Sequence, residues 1–217
     1  RETIPDMILG RDVCVRAPTG SGKTLAFGIP MLENIGRGEP NLPKGLILTP
    51  TRELAEQIHG VMDPIAWGLD LRVMPIYGGV SYSKQIRRLR KGVDIVVACP
   101  GRLLDLVERE EIYLDEVDIV VLDEADRMAD MGFTDPVCEI LEMCSPRRQT
   151  VMFSATLDDE VSDIRDKHQK NPQIIEIGPE EISMTEMNHH FWLMPNLSLI
   201  HISEPTRLLS ISYAVFW

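Results

Sequence analysis

A glycine-rich loop between a predicted strand and a predicted helix is the feature that most constrains the fold of this chain. The loop reads Ala17-Pro-Thr-Gly-Ser-Gly-Lys-Thr24. Residues 13–16 before it form a short β-branched run, and residues 22–35 continue in a pattern that predicts a helix. The full loop pattern begins with glycine, a place that Ala17 takes here. A strand, a glycine loop and a helix in this order predict a cradle whose backbone N–H groups hold a polyphosphate.

A second motif supplies carboxylates at the end of another buried strand. The segment Val120-Val-Leu-Asp-Glu-Ala-Asp126 is an apolar run that ends abruptly in acidic residues. Asp123 and Glu124 would then lie where Mg²⁺ and the water that it activates are needed. In such loops the lysine reaches the terminal phosphates and the threonine hydroxyl reaches Mg²⁺. The two motifs together predict a protein that binds and hydrolyses a nucleoside triphosphate, although Asp123 and Glu124 could instead form a capping box that opens a helix.

Short β-branched runs alternate with longer helical patterns between residues 12 and 178. The predicted strands are 13–16, 45–49, 72–77, 94–98, 119–122, 149–154 and 173–177. The predicted helices are 22–35, 52–68, 81–91, 101–109, 134–143 and 157–170. This alternation predicts an α/β fold with a mostly parallel twisted sheet and helices on both faces. Ligands of such sheets bind beyond the carboxyl ends of the strands, so the two motifs should meet in space.

Composition bounds the possible functions. The 217 residues are 44% apolar, which is enough for one substantial core and too little for two domains of this kind. The net charge of −12 argues against nucleic-acid binding by bulk electrostatics, so any such contact must be local. The four cysteines show no C-x-x-C spacing, which favours small buried hydrophobes in a reducing compartment over a zinc site or disulfides. We therefore expect a soluble intracellular protein, cytoplasmic or nuclear, with no membrane contact.

Six motifs in sequence order resemble those of the DEAD-box ATP-dependent RNA helicases. They are A-P-T-G-S-G-K-T (17–24), P-T-R-E-L-A (50–55), Gly78-Gly79, C-P-G-R (99–102), D-E-A-D (123–126) and S-A-T (154–156). The resemblance implies the first of the family's two RecA-like P-loop domains, with ATP and Mg²⁺ as cofactors. The implied ATP-binding residues are Ala17, Pro18, Thr19, Gly20, Ser21, Gly22, Lys23 and Thr24. The resemblance also makes Lys23, Asp123 and Glu124 catalytic and Thr24 and Asp123 metal ligands.

The resemblance implies two further sets of site residues. Residues that couple the nucleotide state to domain closure are Asp126, Ser154, Ala155 and Thr156. Residues that touch the RNA sugar-phosphate backbone are Pro50, Thr51, Arg52, Gly78, Gly79, Cys99, Pro100, Gly101 and Arg102. Backbone contacts do not read sequence, so we expect little base preference. Cys99 stands where the family usually has threonine, which predicts a weaker contact there.

The ends of the chain depart from the family pattern. We expect residues 1–178 to form the domain, 179–197 to hold a linker and a possible first strand of a second domain, and 198–217 to have no assigned function. The last segment resembles translated read-through of sequencing-adapter DNA, or else a divergent element of that second domain. By register, the family's adenine-reading glutamine would precede Arg1. Because the second RecA-like domain closes the ATP site, this chain alone is not expected to unwind a duplex.

Other hypotheses stay open beside the helicase. The domain could bind ATP and RNA without turnover, or it could belong to a related DNA-directed helicase. A basic cluster on the predicted helix 81–91 could contact RNA or simply be a solvated face. The adjacent His189 and His190 would point to opposite faces of a strand, which argues against a shared metal ion.

Overall fold

Seven strands form one sheet. The computed structural model describes residues 2–18 and 21–178. The strands are β1 Val13–Arg16, β2 Gly45–Leu48, β3 Val73–Ile76, β4 Ile95–Ala98, β5 Ile119–Leu122, β6 Gln149–Ser154 and β7 Gln173–Glu176. Their order across the sheet is β3-β4-β2-β5-β6-β1-β7. Every neighbouring pair runs parallel, so all strands end at the same edge of the sheet.

Eight α-helices occur within the described ranges. They are α1 Thr3–Ile8, α2 Lys23–Asn34, α3 Arg52–Gly68, α4 Tyr82–Leu89, α5 Pro100–Glu108, α6 Ala125–Asp130, α7 Thr134–Met143 and α8 Asp159–His168. None of them is both long and apolar enough to cross a membrane.

The predicted fold class is confirmed. All seven predicted strands are present with ends that differ by at most one residue, and the six predicted helices differ by at most two. The sequence did not predict α1 and α6, which are six residues each. Helices that short do not complete enough turns to show a clear apolar period. The predicted linker at 179–197, the tail at 198–217 and the His189–His190 pair lie outside the described residues.

The core lies in two layers, one on each face of the sheet. Met7 of α1, Phe27 of α2 and Ile58 of α3 belong to one buried cluster. The side chains of α4 to α8 fill the other cluster, together with strand residues such as Leu46 and Leu48. Successive strand side chains point to opposite faces, and both faces are covered at the centre of the sheet, which explains why β2, β4 and β5 contain no polar side chain.

Buried aspartates bind backbone N–H groups at the amino edge of the sheet. Asp12 precedes β1 and accepts hydrogen bonds from Thr150 N (2.7 Å) and Lys170 N (2.6 Å). Asp94 precedes β4 and accepts from Gly38 N (2.7 Å) and from the backbone N–H before β3 (2.6 Å). Buried N–H groups that lacked a partner would be costly, so these carboxylates fix the connections that enter the sheet.

Candidate functional site

The glycine-rich loop joins β1 to α2 at the carboxyl edge of the sheet. Ala17 is buried, and its N–H donates to the Ser154 carbonyl oxygen (2.9 Å), which holds the start of the loop against β6. Gly22 has a φ of 76°. Only glycine adopts this left-handed conformation routinely, so the backbone itself requires a glycine at this position. The helix α2 begins at the next residue, Lys23.

The middle of the loop is less completely described. The predicted ATP-binding residues Thr19 and Gly20 lie outside the described residues. Pro18 and Ser21 stand on either side of that gap, and both are exposed. The loop is therefore described where it leaves β1 and where it enters α2.

The structure brings Lys23 and Asp123 together, as the two motifs predicted. Asp123 follows β5, and its Oδ1 lies 3.7 Å from Lys23 Nζ. The side chain of Lys23 is 10% exposed and that of Asp123 is 3% exposed, so the pair is well shielded from water. Burial raises the pKa of the Asp123 carboxyl above its ordinary value of 3.8, and the Lys23 ammonium opposes that shift. A carboxylate in such a place is stabilised by any further cation nearby.

The Asp123 carboxylate and the Thr24 hydroxyl are oxygen donors of the kind that Mg²⁺ prefers. Mg²⁺ prefers hard oxygen ligands and keeps several waters, so it needs only one or two protein groups. Thr24 is partly buried and is the second residue of α2, one position after Lys23. The side chains of Thr24 and Asp123 therefore fit Mg²⁺ in their chemistry.

Glu124 has an unusual backbone and a charged partner. Its φ of 54° is left-handed, a conformation that non-glycine residues adopt rarely and that is often found at functional sites. Its Oε2 lies 3.1 Å from a guanidinium nitrogen of Arg127. Its side chain makes no capping bond to α6, which removes the capping-box alternative for this residue. The sequence did not predict the contact of Arg127 with Glu124, because that contact depends on the short helix α6.

Asp126 connects the end of β5 to the end of β6. Its Oδ2 accepts hydrogen bonds from Ala155 N (3.0 Å) and Thr156 N (3.1 Å) and lies 3.4 Å from the Thr156 hydroxyl. Its own N–H donates to the Ser154 hydroxyl oxygen (3.1 Å). The four residues that the resemblance linked are therefore in direct contact.

The residues predicted to contact RNA follow β2, β3 and β4, which are the three strands at one end of the strand order. Residues 50–52 follow β2, 78 and 79 follow β3, and 99–102 follow β4. Arg52, Gly78, Gly79 and Gly101 are exposed, whereas both predicted prolines, Pro50 and Pro100, are buried. The strand order places these loops along the same edge as the glycine-rich loop, with β5 and β6 between β2 and β1.

Two of these residues begin helices. The Thr51 hydroxyl oxygen accepts from Leu54 N (3.3 Å) and caps α3. Cys99 occupies the corresponding position of α5 but makes no side-chain capping bond. Burial raises the pKa of the Cys99 thiol to about 11, so it is neutral at physiological pH. Cys14, Cys138 and Cys144 are also free thiols.

Arg102 is engaged with protein groups. Its guanidinium donates to the Val80 carbonyl oxygen (3.0 Å) and to Gln85 Oε1 (2.9 Å). It also stacks 3.9 Å from the centre of the Tyr82 ring. Only 9% of its side chain is exposed, so Arg102 holds the loop after β3 against α5 rather than projecting into solvent.

Two residues of the basic cluster predicted on helix 81–91 contact protein groups. Arg88 and Arg90 contact the Val73 carbonyl oxygen and the Glu111 carboxylate. Lys84 and Arg87 are exposed. This exposure agrees with the solvated-face alternative, and contact of the cluster with RNA stays a prediction.

The geometry of the site agrees with a comparison against protein families. The chain matches the family described as DEAD/DEAH box helicase over residues 1–164. That match covers more than half of the 217 residues. The chain belongs to the DEAD/DEAH box helicase family.

The curated relatives of this chain include proteins that are named as RNA helicases. The RNA helicase CrhR of Synechocystis sp. is 40% identical over 194 residues, which cover 89% of this chain and 39% of that protein. The ATP-dependent RNA helicase CshA of Listeria monocytogenes is 40% identical over 190 residues, which cover 88% of this chain and 36% of that protein. This chain therefore spans less than two fifths of the length of these relatives.

Solved structures show the same fold. A hypothetical ATP-dependent RNA helicase from Sulfolobus tokodaii is 44% identical, with a TM-score of 0.75 over 81% of this chain and 51% of that one. The yeast DEAD-box splicing factor Prp28 is 39% identical, with a TM-score of 0.73 over 78% of this chain and 42% of that one. The predicted RecA-like P-loop domain is thereby confirmed.

Proposed function

We propose that this domain binds Mg-ATP and RNA, and that a protein of its relatives' length uses the hydrolysis of ATP to open and release short RNA duplexes. The observation that supports this most directly is the shielded contact between Lys23 and Asp123, beside the bonds that link Asp126 to residues 154–156. A phosphate-binding lysine, a metal-binding carboxylate and a bridge to the next strand thus occupy one edge of the sheet. We infer that the protein acts inside the cell, where ATP and RNA occur together.

In the proposed reaction each acidic and basic group has a distinct role. Lys23 holds the terminal phosphates, while Thr24 and Asp123 bind the metal. Glu124 orients the attacking water or takes its proton, which leads to in-line displacement at the γ-phosphate. A Mg²⁺ ion held by Thr24 and Asp123 would neutralise negative charge on the phosphate oxygens. The ion pair with Arg127 keeps the Glu124 carboxylate beside the site.

The bonds of Asp126 suit a coupling role. Its carboxylate binds two successive backbone N–H groups after β6, so a displacement of the loop after β5 is passed on to the loop after β6. The strand β6 ends at Ser154, whose carbonyl oxygen also accepts from the N–H of Ala17 at the start of the glycine-rich loop. We propose that these bonds transmit the nucleotide state to the second RecA-like domain of a full-length protein.

The exposed glycines and Arg52 suit contacts to an RNA backbone. Gly78, Gly79 and Gly101 have no side chain to keep phosphates away from their N–H groups. Because the chain is acidic overall, we propose local binding with little sequence preference and discrimination of RNA from DNA through the 2′-hydroxyls. Arg102 is proposed to act indirectly, by positioning the loop that contains Gly79.

The test combines nucleotide binding with phosphate release. The chain is titrated with a fluorescent ATP analogue in the presence of Mg²⁺, and phosphate release is measured with a uridine homopolymer and with the matching DNA. Lys23→Ala should abolish nucleotide binding. Glu124→Gln should keep binding and lower turnover by about 10²-fold or more, as expected when a general base is removed. Lys44→Ala is the matched control, because Lys44 pairs with Glu116 (2.6 Å) beside the other edge of the sheet.

The other hypotheses give distinct results in this test. Nucleotide binding that Lys23→Ala leaves intact would rule out the proposed site. Binding without RNA-stimulated phosphate release would support a binding module that needs its second domain for turnover. Equal stimulation by DNA and RNA would favour the DNA-directed helicase.

A further inference from the structure

Exposed apolar side chains are concentrated on the helices α1, α2 and α3, whose buried side chains cover one face of the sheet. Eleven large apolar side chains are exposed in the described part of the chain, and eight of them lie on α1, α2, α3 or the residue that ends one of these helices. These eight are Ile8, Leu9, Leu25, Ile29, Val61, Ile65, Trp67 and Leu69. Large exposed apolar patches are uncommon on soluble domains and usually mark binding surfaces.

Part of this layer is a groove between the C-terminal halves of α2 and α3, with a volume of about 660 Å³. We call it the α2/α3 groove. Its exposed apolar lining comes from Ile29, Ile65 and Leu69, and its buried apolar lining from Leu32, Ile35 and Leu71. The groove therefore continues the hydrophobic core outward to the surface.

The spacing of the exposed residues suits a helical partner. Val61, Ile65 and Leu69 recur every fourth residue on α3, and Leu25 and Ile29 do so on α2. Residues four apart form ridges on a helix, and a partner helix packs its own ridge into the groove between two such rows. An amphipathic helix that lays its apolar face into a groove is a common form of peptide recognition.

The charge around the groove favours a basic partner. Neither α2 nor α3 has a basic residue in its last turn, so the partial negative charge of both C-terminal ends lacks a cation from the helix itself. Glu33 lines the groove and is exposed. The arginine in the lining, Arg37, forms an ion pair with Asp70. The chain as a whole carries a net charge of −12, which attracts basic partners and repels nucleic acid and further copies of itself.

The groove is separate from the ATP and RNA loops. Both helices begin at the carboxyl edge of the sheet, α2 at Lys23 and α3 at Arg52. They run back toward the amino edge, and the groove lies at their far ends. The 12 residues of α2 span about 18 Å, so a partner could bind here while both loops stay free.

We propose that the α2/α3 groove is a docking site for a basic amphipathic helix of a partner protein. The apolar face of that helix packs between the rows of α2 and α3, and its lysine or arginine side chains face Glu33 and the two helix ends. This surface gives the domain a means of recruitment that does not compete with its nucleotide or nucleic acid.

The test uses a synthetic fluorescent peptide of leucine and lysine in an amphipathic helical pattern. Its controls are a scrambled peptide of the same composition and a peptide with glutamate in place of lysine. Each is titrated into the complete chain, and fluorescence anisotropy reports binding. Ile65→Asp should weaken binding of the leucine-lysine peptide by about tenfold or more, as expected for a central apolar contact. Ile174→Asp is the matched control, since Ile174 is an exposed isoleucine of β7 outside the groove.

A charge variant makes the test independent of any effect of Ile65→Asp on folding. Glu33→Lys changes an exposed residue, and we expect a several-fold weaker peptide affinity with a smaller dependence on salt concentration. Circular dichroism melting checks that each variant is folded. Equal binding of the scrambled or glutamate peptide, equal affinity of Ile65→Asp and wild type, or no binding at all would each overturn the proposal. A wild-type dimer that Ile65→Asp dissociates in analytical ultracentrifugation would also overturn it, because the occupant would then be a second copy.

Discussion

At the scale of single residues, the candidate ATP site depends on a carboxylate that is unfavourable where it lies. Asp123 is only 2% exposed, and burial raises its pKa despite the nearby Lys23 ammonium. A core optimised for stability alone would not place an ionised group there. Functional sites commonly retain such groups because a bound ligand or metal stabilises them.

The first residue-scale prediction follows from the raised pKa of Asp123. A raised pKa means that the folded chain holds this proton more tightly than the unfolded chain does, so ionised Asp123 opposes folding above its ordinary pKa of 3.8. Asp123→Asn should therefore increase the free energy of unfolding at neutral pH by about 0.5–2 kcal/mol. The gain should shrink as the pH falls toward 3.8 and wild-type Asp123 becomes protonated. Urea denaturation over a pH series measures this difference.

The same substitution at Asp94 is the control and should have the opposite sign. Both Asp94 oxygens accept from backbone N–H groups, at 2.7 and 2.6 Å. An asparagine amide cannot accept with its nitrogen, so Asp94→Asn leaves one partly buried N–H without this acceptor and should cost about 1–2 kcal/mol. If Asp123→Asn also lowers stability at neutral pH, desolvation is not the dominant influence on that carboxylate.

At the scale of secondary-structure elements, the start of α5 differs from the start of α3. Thr51 caps α3 with its hydroxyl, whereas Cys99 offers α5 no side-chain hydrogen bond. The backbone of Cys99, with φ −84° and ψ 133°, already has the extended conformation that a capping residue requires. Only the hydroxyl is missing.

We predict that Cys99→Thr stabilises the domain by about 1 kcal/mol, because a threonine hydroxyl at this position can accept from an orphan N–H of the first turn of α5. Thermal and urea denaturation measure the change. Cys99→Val is the matched control, since it has the shape of threonine without the hydroxyl and should give no gain. Equal stabilisation by valine and threonine would attribute the effect to packing instead of capping.

The secondary structure also shows what the sequence could and could not predict. The inner strands are runs such as Ile95–Ala98, buried on both faces and bounded by turn residues, so composition alone located them. The long helix Arg52–Gly68 was predicted with both ends correct. The six-residue helix Ala125–Asp130 was missed, and with it the contact between Arg127 and Glu124. Motif order predicted which residues lie together at the candidate site. The contact between Arg127 and Glu124 was not predicted, because it depends on an element too short to leave a periodic signal.

At the scale of the whole molecule, residues that stabilise the fold and residues that are proposed to bind ligands lie at opposite edges of the sheet. The glycine-rich loop and the residues after β5 and β6 lie at its carboxyl edge. The loops after β2, β3 and β4 continue along the same edge. Its amino edge has the buried carboxylates of Asp12 and Asp94, which bind only backbone N–H groups. The strands between the two edges are mostly four residues long, or roughly 13 Å.

This separation predicts that substitutions at the two edges are energetically independent. Asp12→Asn removes an acceptor for a buried N–H and should cost about 1–3 kcal/mol of stability. It should leave the affinity for a fluorescent ATP analogue unchanged, whereas Lys23→Ala should abolish binding of that analogue. Effects on unfolding at sites more than about 7–10 Å apart without shared partners usually add to within about 0.5 kcal/mol. Urea denaturation of both single variants and the double variant measures the coupling energy, which we expect to fall below that limit. A larger coupling energy, or a loss of nucleotide affinity in folded Asp12→Asn, would contradict this independence. The conformation of the glycine-rich loop would then depend on the hydrogen bonds that Asp12 makes at the start of β1.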